Sequence, residues 1–550
     1  MKENKKRILI LGAGLMQGPA IRAAKELGCE VIAVDGNPNA VCAKEADKFF
    51  PIDLKDIPAL IDLAKSLKEN GLHGVFTAAT DFSVSVAAVA ESCSLPGHSL
   101  EAARRASDKV LMRECFEKHG VPSPKFTHIF KNEIDNALQI LKQKAIPFPL
   151  TVKPADNMGA RGCRLVYSQD ELRPALEDAV NFSRSGKAIA EEFIDGEEFS
   201  LEALVINGEI FLNALADRHI FFPPYFVEMG HTIPSIKSKE ECDELIRVFF
   251  LGIKALGLTN GAAKGDIFLR KADPKKNGKR TACVGEIAAR LSGGYMSGWT
   301  VPYSSGFDVT KAAVKIALGE PVDELPKDGA ARFSAERAWI SVPGIIKKIY
   351  GLEEARSTKN VKDVLPRLFE KDETVFPKNN VEKCGNVLSS AESYDEAVKA
   401  SMEAVQKIFL RLERANNKTN LFFEKTNPSI TVQGNYPPNF FKFPEDDSTK
   451  EIKNKIFDEL LKNSILAEED EILYPSFFKD FLDKAFDVHG LSIRKAIKQA
   501  FFLEPKLKEK MLSLQTIEKP LNPSLVLWWK YFIRGSRQGL IYYLDTELNG

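Results

Sequence analysis

The sequence predicts a multidomain α/β and α+β chain: an open parallel α/β unit first, a mixed unit rich in β-hairpins behind it, and a mainly helical extension at the C-terminal end. Three observations carry that prediction. Residues 7–35 read strand, glycine turn, helix, strand, which opens a parallel sheet. Residues 148–290 alternate short apolar runs with glycine-containing turns, the pattern of antiparallel hairpins. Beyond residue 448 the apolar residues return at helical spacing. At 550 residues, 44% of them hydrophobic, the chain exceeds what one core organises, and about three to five units are expected.

The first unit begins with the strand at 7–11, the turn GAGLMQG at 12–18, a helix over Pro19 to Leu27 and a strand from Glu30 to Asp35. A helix at 56–69, a strand from Gly74 to Thr77 and a helix at 84–92 continue it to about residue 105. A dinucleotide fingerprint would place glycines at 12, 14 and 17, but position 17 is Gln and Gly18 falls one residue late. A glycine turn that only lets a helix pack on a sheet has the same letters, and that reading is preferred. A nicotinamide-dependent oxidoreductase, suggested by Gly12, Gly14 and Asp35, is the weaker alternative.

The next stretches follow in the order cation, glycine loop, acidic hinge, acidic strand, acid-plus-arginine strand. Ser107 or Asp108 caps a helix running to about His119, with Lys109 in its first turn. Taken alone, Lys109 reads as a surface lysine. The apolar run 148–152 is a strand ending in Lys153, and the turn after it leads to a strand at 163–167. In that turn Gly159 and Gly162 let backbone amides approach phosphate oxygens, while Lys153 and Arg161 offset phosphate charge. No GxxxxGK[ST] occurs, so this is not a Walker A loop. A hairpin with a polar tip is the competing account of the same segment.

The strand Ala188 to Ile194 carries Glu191 and Glu192, Gly196 turns it, and the strand Glu198 to Val205 closes at Asn207-Gly208, a favoured hairpin turn. Backbone groups from Glu191 through Glu192 and Phe193 to Ile194 suit an adenine edge, and Glu198 suits ribose hydroxyls. Strands at 261–270 and 283–290 flank the basic turn 271–280. By the period of two, Lys264 and Asp266 share one face, as do Glu286, Ala288 and Arg290. Two carboxylates and a guanidinium on facing strands do not make a core. Asp266 and Glu286 suit magnesium, which takes hard oxygen ligands beside phosphates, and Arg290 suits charge developing in phosphoryl transfer.

Lys plus Arg and Asp plus Glu each number 76, so no net charge drives the chain onto nucleic acid or an anionic membrane. The eight cysteines show neither CxxC pairs nor framework spacing, which favours reduced thiols over disulfides or structural zinc. The apolar run Ile8 to Leu11 is too short for a signal-peptide core, and no later run reaches membrane-spanning length, so a cytoplasmic location is expected.

Taken together, these residues resemble the ATP-grasp superfamily, in its branch with biotin carboxylase, carbamoyl-phosphate synthetase, the purine-biosynthetic ligases and the amino-acid ligases. The resemblance covers about residues 7–412. It implies a pre-ATP-grasp α/β domain at 1–105, an ATP-grasp domain at 106–320 with a mobile central subdomain at about 148–190, and a C-terminal subdomain at 321–412. It makes Lys109, Lys153, Asn157, Gly159, Arg161, Gly162, Glu191, Glu192, Phe193, Ile194 and Glu198 the ATP-binding residues, Asp266 and Glu286 the metal ligands, and Arg290 the catalytic arginine.

One departure is Ala288, where many members have Asn, so a second metal has fewer protein ligands. The implied cofactors are ATP and Mg2+, with Mn2+ as a substitute. The implied activity is ligation of a small carboxylate to an amine through an acyl phosphate, with release of ADP and phosphate. The partners are then those small molecules, without nucleic acid or membrane, and a homodimer is compatible with the resemblance. Ser292, Gly293 and Gly294 could meet the substrate carboxylate, and a substrate-facing loop at 217–235 makes Arg218, His219, Glu228 and His231 specificity candidates. The alternative to a ligase is a non-catalytic ATP-binding or scaffold protein.

The resemblance ends near residue 413. Helices are expected near 448–462, 475–487, 491–502 and 523–534, with Phe477, Phe478, Phe481 and Phe486 at helical spacing. Trp528, Trp529, Tyr531 and Phe532, with Arg534 and Arg537, suit docking onto the preceding domain better than a partner surface.

Overall fold

A computed structural model describes residues 5–69, 71–272, 278–325, 331–424, 436–444, 461, 466–469, 472–514 and 522–547. The chain divides into two compact units: residues 1–221, 230–336 and 388–398 form one, and residues 222–229, 337–387 and 399–550 the other.

The first unit opens with β1 (Arg7–Leu11), α1 (Gly18–Glu26), β2 (Glu30–Val34), β3 (Lys48–Phe50), α2 (Ile57–Lys68), β4 (Leu72–Phe76) and α3 (Ser83–Ser92). The sheet runs β3-β2-β1-β4, and the pairs β3/β2, β2/β1 and β1/β4 are parallel. Ile8 to Leu11 are all fully buried, because a parallel strand with helices on both sides needs apolar residues on both faces. The glycine turn behaves as a packing turn. Gly12 sits at φ +101, where L side chains are strained, and the Gln17 side chain fills the space 3.0 Å from where a Cβ would be. Gln17 Oε1 accepts from the Gly14 amide, and Asp35 accepts from the Ala13 amide. Both amides are therefore spent inside the turn.

A helix absent from the sequence expectation, α4 (Leu100–Ser107), precedes α5 (Lys109–His119). Asp108, at ψ 116, breaks the helical path and caps α5 by accepting from the Val110 and Leu111 amides. The next subdomain holds β5 (Phe126–Phe130), α6 (Ala137–Gln143), β6 (Leu150–Pro154), β7 (Arg164–Val166), α7 (Gln169–Phe182) and β8 (Lys187–Glu192). Its antiparallel sheet has the order β5-β8-β6-β7, and its core includes Val152, Leu176 and Ala188.

Then come β9 (Gly196–Ile206), β10 (Glu209–Phe221), β11 (Val227–Ile233), α8 (Lys239–Leu256), β12 (Gly261–Arg270) and β13 (Ala282–Ala288). Strands β13, β12, β9 and β10 are neighbours in that order and antiparallel. Phe199, Leu201, Ile267 and Ile287 pack with Leu245, Val248, Phe249 and Ile253 of α8. Their alternate neighbours Glu198, Ser200, Asp266 and Glu286 are left to the opposite face. The expected loop at 217–235 is instead the end of β10, a short connection and β11; the alternation of apolar and polar residues there is strand periodicity. Of the basic turn, residues 273–277 lie outside the described residues.

The second unit contains a large aromatic cluster. Two helices within Pro523–Glu547, separated by a kink at Ser536, bury Trp528, Trp529 and Phe532 in a cluster with Ile340, Val342, Phe409, Phe423 and Phe478. The tail therefore packs on residues of the preceding segment, and its tryptophans present no partner surface. Arg534 donates to the Phe422 carbonyl and Arg537 to the carbonyls of Gln406 and Ile408; burial lowers both guanidinium pKa values to about 10. The helix expected at 475–487 is instead a 3₁₀ turn at Ser476–Phe481 and a short strand Phe486–Asp487. Phe478 and Phe481 are buried while Phe486 is exposed, because packing against Trp529 and Phe443 overrides the helical spacing. The helix expected at 491–502 spans Ile493–Leu503, and that expected near 448–462 lies outside the described residues, save residue 461. Among the described residues no helix is long and apolar enough to cross a membrane. All eight cysteines are free thiols.

Candidate active site

The polar face of the β13-β12-β9-β10 neighbourhood gathers the acids. Asp266 is the direct cross-strand partner of Glu286 on one side and of Ser200 on the other, and Glu198 pairs with Phe268 one step along. A bulge after Asp266 shifts the β12/β13 register, which keeps the two carboxylates opposite each other. Arg218 of β10 contacts Glu198, and its Nη1 lies 2.6 Å from Asp266 Oδ1. Lys264 also contacts Asp266. On the next pair, Lys264 stands opposite Ala288.

The first turn of α5 delivers Lys109 to the same place. Its Nζ lies 3.3 Å from Glu286 Oε1 and donates to the Asn157 carbonyl at 2.7 Å. Burial works against the ammonium, but Glu286 and Asp81 hold its pKa above the ordinary value. Burial likewise works against the Glu286 carboxylate, and Lys109, Lys264, Lys153 and Arg290 together keep it below its usual range. Lys153, at the end of β6, reaches Glu191 Oε2 at 2.7 Å, and Arg113 of α5 reaches Glu191 Oε1 at 2.8 Å. Against the cost of burial, these two cations bring the Glu191 pKa down to about 2. The Glu191 side chain is thus an anchor inside the protein. The Glu192 amide donates to the Lys125 carbonyl, and its carboxylate meets Arg270 at 3.0 Å. Phe193 is partly exposed and Ile194 buried.

The 156–162 turn is pinned at its base. Asp156 accepts from the Ser183 hydroxyl and from the Arg184 and Ser185 amides. Asn157 Nδ2 donates to the Phe182 carbonyl, and Arg161 Nε folds back onto the Met158 carbonyl at 3.1 Å. Gly159, Ala160 and Gly162 have positive φ. At Gly162 a Cβ would be strained by φ +68 and would crowd the Phe182 and Pro154 side chains at 3.0 Å.

Arg290 follows β13, with Nη1 donating to the Leu291 carbonyl. Ser292 donates its amide to the buried carboxylate of Glu202, which also accepts from Asn213 and Ser297. Gly294 has φ +62, and Gly293 approaches Ala79. Ala78 bridges to Leu291, which brings the turn after β4, with Asp81, beside this strand. Burial raises the Asp81 pKa against the pull of Arg290 and Lys109.

Arg218 thus joins the acidic face. His219 contacts Thr232, whereas His231 is buried, with Nε2 2.6 Å from Thr300 Oγ1 and Nδ1 3.4 Å from Glu336. His231 is turned into the protein interior by β11. Glu228 belongs to the second unit, where its amide donates to Asn380.

Sequence reasoning did not single out Asp81, Arg113, Asp156 and Glu202, whose side chains support the residues of this candidate site. Asp81 had a signal, an acid just past the C-terminal end of a parallel strand, where open α/β sheets bind ligands. Arg113 had one too, a cation on the apolar face of a helix.

The donor set suits one magnesium ion. Asp266 and Glu286 offer hard carboxylate oxygens on facing strands, and their side chains are 17% and 35% exposed, so a ligand can reach them.

Three stretches of the chain match known domain families. Residues 106–291 match the ATP-grasp domain, residues 21–97 the ATP-grasp N-terminal domain, and residues 338–413 the L-amino acid ligase C-terminal domain 2. The carbamoyl phosphate synthase large chain, C-terminal section, of Methanocaldococcus jannaschii is 28% identical over an aligned length of 371, and the match covers 62% of this chain and 55% of that protein. The match thus takes in little more than half of that relative's length. An L-amino acid ligase from Bacillus licheniformis superposes with a TM-score of 0.62 at 22% identity, covering 74% of this chain and 99% of that one. The biotin carboxylase domain of the Hydrogenobacter thermophilus 2-oxoglutarate carboxylase, solved with MgADP, ADP and bicarbonate, gives 0.57 at 19% identity, covering 74% and 90%.

Proposed function

Since residues 106–291 are an ATP-grasp domain and the chain is a member of that superfamily, we propose that it is an ATP- and magnesium-dependent ligase joining a small carboxylate to an amine through an acyl phosphate. The observation that carries this is the pairing of Asp266 with Glu286 on one face, with Lys109 against Glu286. The match of residues 338–413 to an amino-acid ligase domain supports an amino acid as one substrate.

In this reading Asp266 and Glu286 hold magnesium, which neutralises phosphate charge when bound. Lys109 and Lys153 bind phosphate oxygens, and the 156–162 turn covers them and excludes water. Glu198 holds the ribose, and the backbone near Phe193 and Ile194 meets the adenine. Arg290 stabilises charge as the substrate carboxylate oxygen attacks the γ-phosphorus and the bond to ADP breaks. The amine then attacks the acyl carbon and phosphate leaves. The Gly293 and Gly294 amides, on a turn that Glu202 holds through the Ser292 amide, orient the carboxylate.

Phosphate release from ATP with magnesium, measured against amino acids and small carboxylates offered in pairs, tests the proposal. Release that needs both partners and disappears in Glu286→Gln is expected. ATP binding without release in any pair would favour the non-catalytic alternative.

A further inference from the structure

Lys264 stands on the ligand face of β12, and the mechanism above gives it no part. Its side chain is only 16% exposed, and its ammonium contacts the Asp266 carboxylate. Directly across the strand pair is Ala288, which is buried and contributes no oxygen. The partner on the other side, Glu202, commits its carboxylate to Asn213, Ser292 and Ser297. Asp266 and Glu286 are thus the carboxylates facing the ligand at this step of the sheet. Among the described residues no group of three or more His, Cys, Asp or Glu side chains is arranged to hold a metal.

A triphosphate is a dense anion, and phosphoryl transfer on it calls for more positive charge than one divalent ion brings. Magnesium fills its coordination shell from oxygens, and this corner of the face offers an ammonium instead. On the basis of the ligase proposed above, we infer that Lys264 takes the place of a second divalent cation, so that the site works with one metal ion per nucleotide. Lysine is suited to that part: its ammonium is a compact point charge with three donors on a flexible stem, able to keep Asp266 and reach a phosphate oxygen. Ala288 leaves the space in which the stem moves. An oxygen-bearing side chain there would draw in a competing ion.

Equilibrium dialysis with manganese and a saturating non-hydrolysable ATP analogue counts the ions held per chain. The wild type is expected to hold one. The double variant Lys264→Met/Ala288→Asn, which removes the ammonium and introduces an oxygen, is expected to hold two. Two ions on the wild type, or one on both proteins, would overturn the inference. If the double variant does not fold, Lys264→Met alone decides. It should bind the analogue about tenfold more weakly at low manganese, the worth of a charge-assisted contact, and recover at high manganese. A loss that manganese does not repair would contradict a charge-replacing role. A wild type that binds no analogue would overturn the ATP site itself, a result distinct from any ion count.

Discussion

Arg218 Nη1 lies 2.6 Å from Asp266 Oδ1, and the same guanidinium contacts Glu198. The acid proposed to hold the metal and the acid proposed to hold the ribose share one internal cation, so ligands must displace or rearrange it. Arg218→Gln should therefore bind manganese without nucleotide more tightly than the wild type, by about tenfold for one lost charge-assisted contact. Calorimetric titration checks this, and unchanged or weaker metal binding would count against competition at Asp266.

Arg290 is aimed at developing charge rather than at the bound nucleotide. Arg290→Ala should lower kcat by about 10²–10³, the size of a lost transition-state donor, with the nucleotide Kd nearly unchanged. Single-turnover rates alongside equilibrium binding separate the two. Equal losses in both would make Arg290 a binding residue.

Glu191 ties β8 to Arg113 and Lys153. Its carboxylate pKa falls from 4.5 to about 2 in the folded protein. A depressed carboxylate contributes stability above its unfolded pKa and loses it as pH falls through the folded value, so this contribution should fade between about pH 4.5 and pH 2. Glu191→Gln leaves the buried Arg113 and the partly buried Lys153 short of an anion. It should cost about 3–5 kcal/mol near neutral pH and flatten the acid limb of denaturant stability curves. A variant as stable as the wild type at pH 7 would contradict the anchoring role.

Asp156 holds the base of the 156–162 turn through Ser183, Arg184 and Ser185. Asp156→Ala should raise KM for ATP by more than it lowers kcat, and hydrogen exchange should quicken at residues 156–163. An unchanged exchange profile would show that the turn is held elsewhere.

Much of this site could be read in the sequence because strand periodicity is strict. Once 261–270 and 282–288 are strands, Lys264 shares a face with Asp266 and Ala288 shares one with Glu286, whereas the cross-strand register with its bulge sets the two carboxylates opposite each other. What sequence spacing could not supply was pairing at a distance. Nothing local announces that Arg218 reaches Asp266, that Lys264 stands opposite Ala288, or that Asp81 nears Arg290, since each depends on which elements become neighbours. The surroundings of His231 are of the same kind, since spacing does not reveal that Thr300 and Glu336 stand beside it. In the tail, aromatic spacing suggested a helix at 475–487, and packing around Trp529 bent that stretch into a 3₁₀ turn and a strand.

The central claim is that a substrate carboxylate attacks the γ-phosphate. Once an active substrate pair is found, the carboxylate labelled with ¹⁸O should pass one labelled oxygen to the phosphate released, read by mass spectrometry or ³¹P NMR, and Glu286→Gln should release none. Phosphate free of label, or label leaving with AMP, would contradict the acyl-phosphate mechanism.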